Sequence, residues 1–431
     1  MTLTLIGFAI LLFLAFVGVP LAFATLAVGF FGLMYLRGFD AAFAASSQWI
    51  VDTSTNYNFS IIPLFVFMGA LIHRSGISND LYAASYAWLG RFRGGLALAG
   101  VLSCAGFAAV CGSSLATAAT MTRVAVPSMR KFKYNEGFSA GTIAAGGTLG
   151  IMIPPSVPLA IYGIVAGEDI GQLFIAGILP GLMLVVLFMA AVLIVTAIRP
   201  DFGPKGRAMG LIETLRASYS TWPVIILFGI VLLGIYAGIF TPTEAAGVGC
   251  AGAFIMGVMR GHFRDRASIF GVIEETVSTT AMIFAIVFAA LILAQFVNLT
   301  GMPYELRALV LDMGLGPIGL VLMICAICVL LGTVFESIGI LLLIIPVFLP
   351  SLESLGVNLI WFGILVIIVI ELGLITPPIG MNVFTVKSVA PEIPLSAIFL
   401  GVTPYIVAMV LGGVLILLIP QIATLLPDAM R

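Results

Sequence analysis

The chain has 431 residues, of which 61% are hydrophobic and only 9% charged, with a formal net charge of -1 and a mean hydropathy of +1.24. This is the composition of an integral membrane protein, and the near-zero charge gives no support to a nucleic-acid-binding reading. At ~20 apolar residues per crossing there is room for roughly ten to twelve full or partial crossings and no sizeable soluble domain.

The segment 3–19 has the apolar character of a signal peptide, but it lacks a basic start and runs into a second apolar stretch after Pro20, so it is read as structure. Further apolar segments are predicted near 20–36, 61–72, 94–128, 139–166, 173–198, 222–240, 245–259, 277–300, 315–350, 358–389 and 397–420. Between 73 and 93 charged and apolar residues alternate, including His73, Arg74, Asp80, Tyr82, Tyr86, Trp88, Arg91 and Arg93, which fits an amphipathic arm along the inner interface. Cys104, Cys111, Cys250, Cys325 and Cys328 lie in apolar runs. They read as small core residues, the CxxC spacing of the last two included.

Two segments are too long for one crossing and carry small polar residues midway. The stretch 94–128 holds Gly112, Ser113 and Ser114, and 315–350 holds Gly332, Thr333 and then Glu336. Both are predicted to be re-entrant hairpins that return to their own side. Two others contain proline doublets in matching settings, Gly150-Ile-Met-Ile-Pro154-Pro155-Ser156 and Gly373-Leu-Ile-Thr-Pro377-Pro378-Ile379. Proline has no N–H to donate and its ring clashes with the preceding turn, so each doublet breaks its helix. Broken backbone at membrane depth persists only where protein buries it or a polar cavity receives it. A matched pair in two halves points to a transporter's binding site.

Lysine and arginine concentrate on the inner side of a membrane. With residue 1 outside and neither hairpin crossing, Arg74, Arg91, Arg93, Arg123, Arg130, Lys131, Lys133, Arg199, Lys205, Arg207, Arg216, Arg260, Arg264, Arg266 and Lys387 fall at inner ends, against Arg37, Arg307 and Arg431 outside. This bias supports the hairpins, since a single crossing over 94–128 would separate Arg91 and Arg93 from Arg130, Lys131 and Lys133. The two hairpins then open to opposite sides, so the fold is predicted as all-α and polytopic, built from inverted repeats with two re-entrant hairpins and two discontinuous helices. The stretch from Gly150 to Ile175 aligns with that from Gly373 to Ile398 with at most one inserted residue.

Gly112-Ser113-Ser114, the string from Gly150 to Ser156, Thr241-Pro242-Thr243-Glu244-Ala245-Ala246, and Leu374-Ile375-Thr376-Pro377-Pro378-Ile379-Gly380 occur here in that order. In this the chain resembles, over essentially its whole length, the large membrane subunit (DctM type) of tripartite ATP-independent periplasmic (TRAP) transporters. The resemblance implies a sodium-driven importer of small organic acids in a bacterial inner membrane. It also implies two partners, a small four-helix membrane subunit and a soluble periplasmic substrate-binding protein. It further implies an elevator mechanism, with scaffold and transport domains. Scaffold helices and the interfacial arm are then expected in 1–93, the first repeat in 94–198, scaffold and linking helices in 199–300 and the second repeat in 301–431. No organic cofactor is expected, and Na+ serves as the coupling ion.

Sodium is a hard cation that takes several oxygen ligands, which interrupted helices supply as backbone carbonyls with hydroxyls beside them. Candidate ligands in the first repeat are Gly112, Ser113, Ser114, Pro154 and Ser156. In the second they are Gly332, Thr333, Glu336, Thr376, Pro377 and Gly380. The alternative for these hydroxyls is to satisfy backbone groups at the tips and let helices pack closely. Glu336 and Glu371 are intramembrane carboxylates, read either as proton or ion carriers or as acceptors at broken helix ends. Glu244 reads as an early acid in a threonine-capped helix start. Arg123 and Asn382 are candidate substrate contacts, with Arg123 alternatively snorkelling to the inner surface. No GxxxxGK[ST] phosphate loop is present, and His73 and His262 lie in separate predicted loops, which argues against an ATP pump and a membrane enzyme. A channel and a binding-protein-independent sodium/anion elevator transporter remain as the other readings.

Overall fold

A computed structural model of the protein describes residues 2–263, 265–312, 314 and 316–430. Arg264 and Arg431, and the side chain of Arg307, lie outside the described residues. Every regular element among the described residues is helical. Six described helices are long and apolar enough to cross a membrane, and up to eight if each bent pair is one span; five shorter apolar helices accompany them. For three of the five, Gly95–Cys111, Pro317–Gly332 and Leu359–Gly373, the shortness follows from the breaks, because hairpin arms and half-helices need not reach across.

The first hairpin is Gly95–Cys111 and Ser114–Lys131. Its turn is made at Gly112, whose φ of +63° suits a residue without Cβ, and the Ser113 side chain caps the second arm by accepting from Ala116 N–H. The second hairpin is Pro317–Gly332 and Ser337–Ser354, with Glu336 as the N-cap residue. The first broken helix is Glu136–Met152 and Val157–Ala166, bent by 42°; the second is Leu359–Gly373 and Met381–Val389. Both doublets are joined by cis peptides, Pro154–Pro155 and Pro377–Pro378.

The repeat is tighter than the sequence alignment required. The offset of 223 positions that takes Pro154 to Pro377 also takes Gly150 to Gly373, Thr148 to Glu371 and the arm Ser114–Lys131 onto Ser337–Ser354. The two repeats interlock. Met381–Val389 packs against Ser114–Lys131 and Glu136–Met152 of the first repeat, while Val157–Ala166 packs against Ser337–Ser354 of the second. Small residues permit this approach. A Cβ on Gly141 would fall 2.3 Å from the Gly401 carbonyl carbon, so Glu136–Met152 and Leu395–Leu418 cross backbone to backbone. Tyr405 in the same crossing shares a 2.7 Å hydrogen bond with the Thr142 hydroxyl.

Beside the repeats stand Leu21–Arg37, Ile61–Arg74, Pro242–Met259 and the long Arg266–Leu299, which packs against the first two of these. Pro242–Met259 begins with a full capping box, Thr241 O–H side chain against Glu244 N–H and the Glu244 carboxylate against Thr241 N–H at 2.8 Å, as expected from Thr241-Pro242-Thr243-Glu244. The arm expected over 73–93 is the helix Ile77–Leu89, set on the first hairpin arm and on Leu211–Tyr219. Its Tyr82 is buried, and Trp88 is half-exposed with Nε1 donating to Ser218 Oγ at 2.8 Å. Four helices were not anticipated, Phe39–Thr55, Leu211–Tyr219, Met302–Asp312 and Gln421–Asp428. Each is polar enough, or short enough, to escape a search for apolar runs.

Candidate functional site

Each hairpin tip rests on the break of its own repeat, and the two matched glycines are the reason. A Cβ on Gly150 would lie 2.7 Å from the Ser113 carbonyl oxygen, and one on Gly373 would lie 2.6 Å from Gly332 Cα. No side chain fits at either point, so glycine four residues before each doublet lets the tip sit down. In the first repeat Gly112 then faces the Pro155 carbonyl. In the second, Gly380 N–H donates to the Thr333 carbonyl at 3.0 Å, with Gly380 at φ +66°.

The structure therefore brings Gly112 and Ser113 to Gly150, Pro155 and Ser156 at the first break, and Gly332 and Thr333 to Gly373 and Gly380 at the second, with Gly380 against the Thr376 carbonyl; the Pro154 ring is turned to Gly177. The hydroxyls are engaged locally: Ser156 caps Val157–Ala166 by accepting from Leu159 N–H, Thr333 donates to the Leu330 carbonyl at 2.8 Å, and Thr376 donates to the Leu372 carbonyl at 2.6 Å. Each oxygen keeps a free lone pair for a further ligand.

Glu336 belongs with the first tip as much as with its own. It lines a pocket of about 140 Å³ together with Ser113, Ser114 and Pro158, and with His73 and Glu275 from the flanking helices. Three helices begin at this pocket, Ser114–Lys131, Val157–Ala166 and Ser337–Ser354. Their first N–H groups and positive dipole ends favour an anion there. Against them stand two carboxylates. Glu275 is held by His73 Nδ1 at 3.4 Å and Arg74 Nε at 3.2 Å, while Glu336 takes part in none of the ion pairs among the described residues.

Glu371 and Asn382 are deep in the interior, 1% and 0% exposed. Glu371 Oε1 accepts from Ser337 Oγ at 2.8 Å, and Asn382 Nδ2 donates to the Ala144 carbonyl of the first repeat at 3.2 Å. Asn382 thus joins the two repeats. Arg123 is exposed, does not line the pocket and joins no ion pair among the described residues, a position that fits the inner-surface alternative.

Sequence reasoning missed Glu275 and Ser337. The predicted segment began at 277, which placed Glu275 outside the membrane, whereas the helix Arg266–Leu299 begins eleven residues earlier. Extending the helical pattern backward would have turned Glu275 into an intramembrane acid, and those default to function. Ser337 carried no signal of its own.

Residues 8–422 match the family described as Tripartite ATP-independent periplasmic transporter, DctM component. The chain is 33% identical over 381 residues to the C4-dicarboxylate TRAP transporter large permease protein DctM of Pseudomonas aeruginosa, covering 88% of each. It is 31% identical over 418 residues to the sialic acid TRAP transporter large permease protein SiaM of Vibrio cholerae, covering 96% of each. To the ectoine/5-hydroxyectoine TRAP transporter large permease protein UehC of Ruegeria pomeroyi it is 30% identical over 425 residues, covering 98% of each. Among solved structures, the Alcanivorax borkumensis YdaH transporter superposes with a TM-score of 0.61 at 15% identity, covering 92% of this chain and 89% of that one, a likeness of fold.

Proposed function

The chain belongs to the DctM family, the large permease component of tripartite ATP-independent periplasmic transporters, and we propose that it imports a small organic acid in symport with sodium. The observation that carries this reading is the packing of each hairpin tip on the break of its own repeat, beside a pocket that both tips line and where three helices start. An acid entering the pocket meets favourable helix ends but also Glu336 and Glu275. Cations at the tip clusters would offset those charges, so the anion binds well only when sodium is already in place. That is coupling by electrostatics. Gly112, Ser113, Ser114, Pro154 and Ser156 serve one sodium ion, and Gly332, Thr333, Thr376, Pro377 and Gly380 another.

Two sodium ions supply adequate energy. Each gains ~2.3 kcal/mol from 100 mV and ~1.4 kcal/mol from a tenfold gradient, ~7 kcal/mol together, which concentrates a monoanion even against the potential. In this reading the interlocked repeats move as one transport body against the flanking helices, an elevator step, since each repeat's half-helices are clasped by the other repeat. A periplasmic binding protein delivers the acid, and a small four-helix subunit braces the flanking helices in the bacterial inner membrane, with the N-terminus outside. The relatives named for C4-dicarboxylate and sialic acid support an acid as substrate.

Uptake of a labelled organic acid into proteoliposomes tests this. Accumulation should need the binding protein, the small subunit and an inward sodium gradient together. Uptake without the binding protein would favour the independent anion transporter, and flux that does not saturate would favour a channel.

A further inference from the structure

Six buried side-chain polar atoms among the described residues lack a hydrogen-bond partner, and two of them, Glu371 Oε2 and Asn382 Oδ1, belong to the second broken helix. Both residues are more than nine-tenths buried. An unpartnered polar atom in an interior is uncommon, and an ionised carboxylate left alone there costs several kcal/mol. No basic side chain forms an ion pair with Glu371 among the described residues.

The surroundings of Glu371 are symmetric although the residue is not. Its Oε1 accepts from Ser337, the first residue of the second hairpin's returning arm. Ser114, the first residue of the corresponding arm in the first hairpin, is the other hydroxyl beside it. Ser114 and Ser337 are related by the repeat offset, so Glu371 stands at the junction between the repeats, in contact with the same position from each. Asn382 reaches that junction too. A point 3.2 Å from its Nδ2, where a Cβ on Gly147 would stand, is 3.0 Å from the Ser114 carbonyl oxygen. Its N–H is tied to the Leu374 carbonyl, one turn on from Glu371. Because Nδ2 donates to Ala144, the amide is oriented and Oδ1 is left over.

We propose that Glu371 Oε2, Asn382 Oδ1 and the carbonyl oxygen of Ser114 form a site for one hard monovalent cation, sodium, between the two repeats, an ion additional to those of the tip clusters and bordering the first of them at Ser114. A carboxylate, an amide oxygen and a hydroxyl or carbonyl are the donors such an ion selects. The site needs both repeats, so its cation also holds them together. The proposal extends the sodium-coupled reading to an additional ion.

Sodium binding to the purified full chain in nanodiscs, titrated calorimetrically and by thermal shift against choline, separates the two claims. Glu371→Gln keeps the acceptor for Ser337 and removes the charge. It should bind one sodium ion fewer and need at least tenfold more sodium for the same stabilisation, while Thr148→Val, altering the equivalent position of the first repeat, should match the wild type. Equal stoichiometry and affinity in Glu371→Gln would overturn this site and leave the tip clusters standing; a wild type with no sodium response would overturn both. Should Glu371→Gln fail to fold, imaging the wild type in a thallium salt decides. Density against Glu371 Oε2 and Asn382 Oδ1 supports the site, and density confined to the tips sinks it.

Discussion

The two repeats share their breaks and differ in their charges. Gly150 and Gly373, and the doublets Pro154–Pro155 and Pro377–Pro378, occupy equivalent places and do the same mechanical work. At the same offset Ser113 corresponds to Glu336, and Thr148 to Glu371. Backbone geometry is thus held common, because only glycine lets a tip settle on a break and only proline ends the helix so abruptly. Side-chain chemistry is free to diverge, and both intramembrane acids of the core have been placed in the second half. A symmetric frame carries an asymmetric set of ligands.

The largest expected effect strikes the shared part. Gly373→Ala places a Cβ 2.6 Å from Gly332 Cα, and Gly150→Ala places one 2.7 Å from the Ser113 carbonyl. Each should cost about 1–3 kcal/mol and abolish uptake, measured by thermal melting and by transport. If one repeat tolerates the methyl and the other does not, the mechanical equivalence fails. Next comes the double variant Ser113→Ala with Thr333→Ala, one hydroxyl from each tip. It should raise the sodium concentration for half-maximal uptake about tenfold or more, ~1.4 kcal/mol. An unchanged value in a monodisperse sample removes both residues from the ligand sets.

Smaller effects sharpen the contrast. The Thr148 hydroxyl donates to the Ala145 carbonyl at 2.6 Å inside its own helix, so Thr148→Val should cost only about 0.5–1.5 kcal/mol in a melt. The smallest effect lies at the surface. Arg130, ending the first hairpin, binds both Glu136 and Glu392, and so ties the first repeat to the loop that follows Met381–Val389. Hydrogen bonds from the Glu392 backbone N–H and from Arg130 hold the Glu392 carboxyl below the usual carboxylate range. Its folded pKa is depressed, so its stabilisation is present above the unfolded value of about 4.3 and is lost as pH falls through the lower folded value. Melting followed from pH 6 down to pH 3 should show Glu392→Gln losing slightly less stability than the wild type; parallel curves would mean that the ion pair contributes nothing measurable.

Much of this was legible in the residues. Hairpins predicted over 94–128 and 315–350 are found as 95–131 and 317–354, and breaks predicted over 139–166 and 358–389 as 136–166 and 359–389. Glycine and proline act locally, so their effect survives in a linear reading. Phe39–Thr55 was invisible because its aspartates, serines, threonines and Gln48 make it too polar for an apolar run, although Leu21–Arg37 receives one of its faces. Glu371 could be marked as an intramembrane acid, but its bond to Ser337, 34 positions away, could not be read from spacing.

By itself the sequence determined the solvent, the places where helices break and the existence of two related halves, since hydropathy and the backbone limits of glycine and proline depend on near neighbours alone. The tertiary structure decided which oxygens meet. Glu336 turned toward the first repeat's tip, Asn382 reached the carbonyl of Ala144, and Glu275 came in from a flanking helix. Such meetings depend on how one half clasps the other, and that clasp is set by packing between segments more than two hundred residues apart, which no local pattern records.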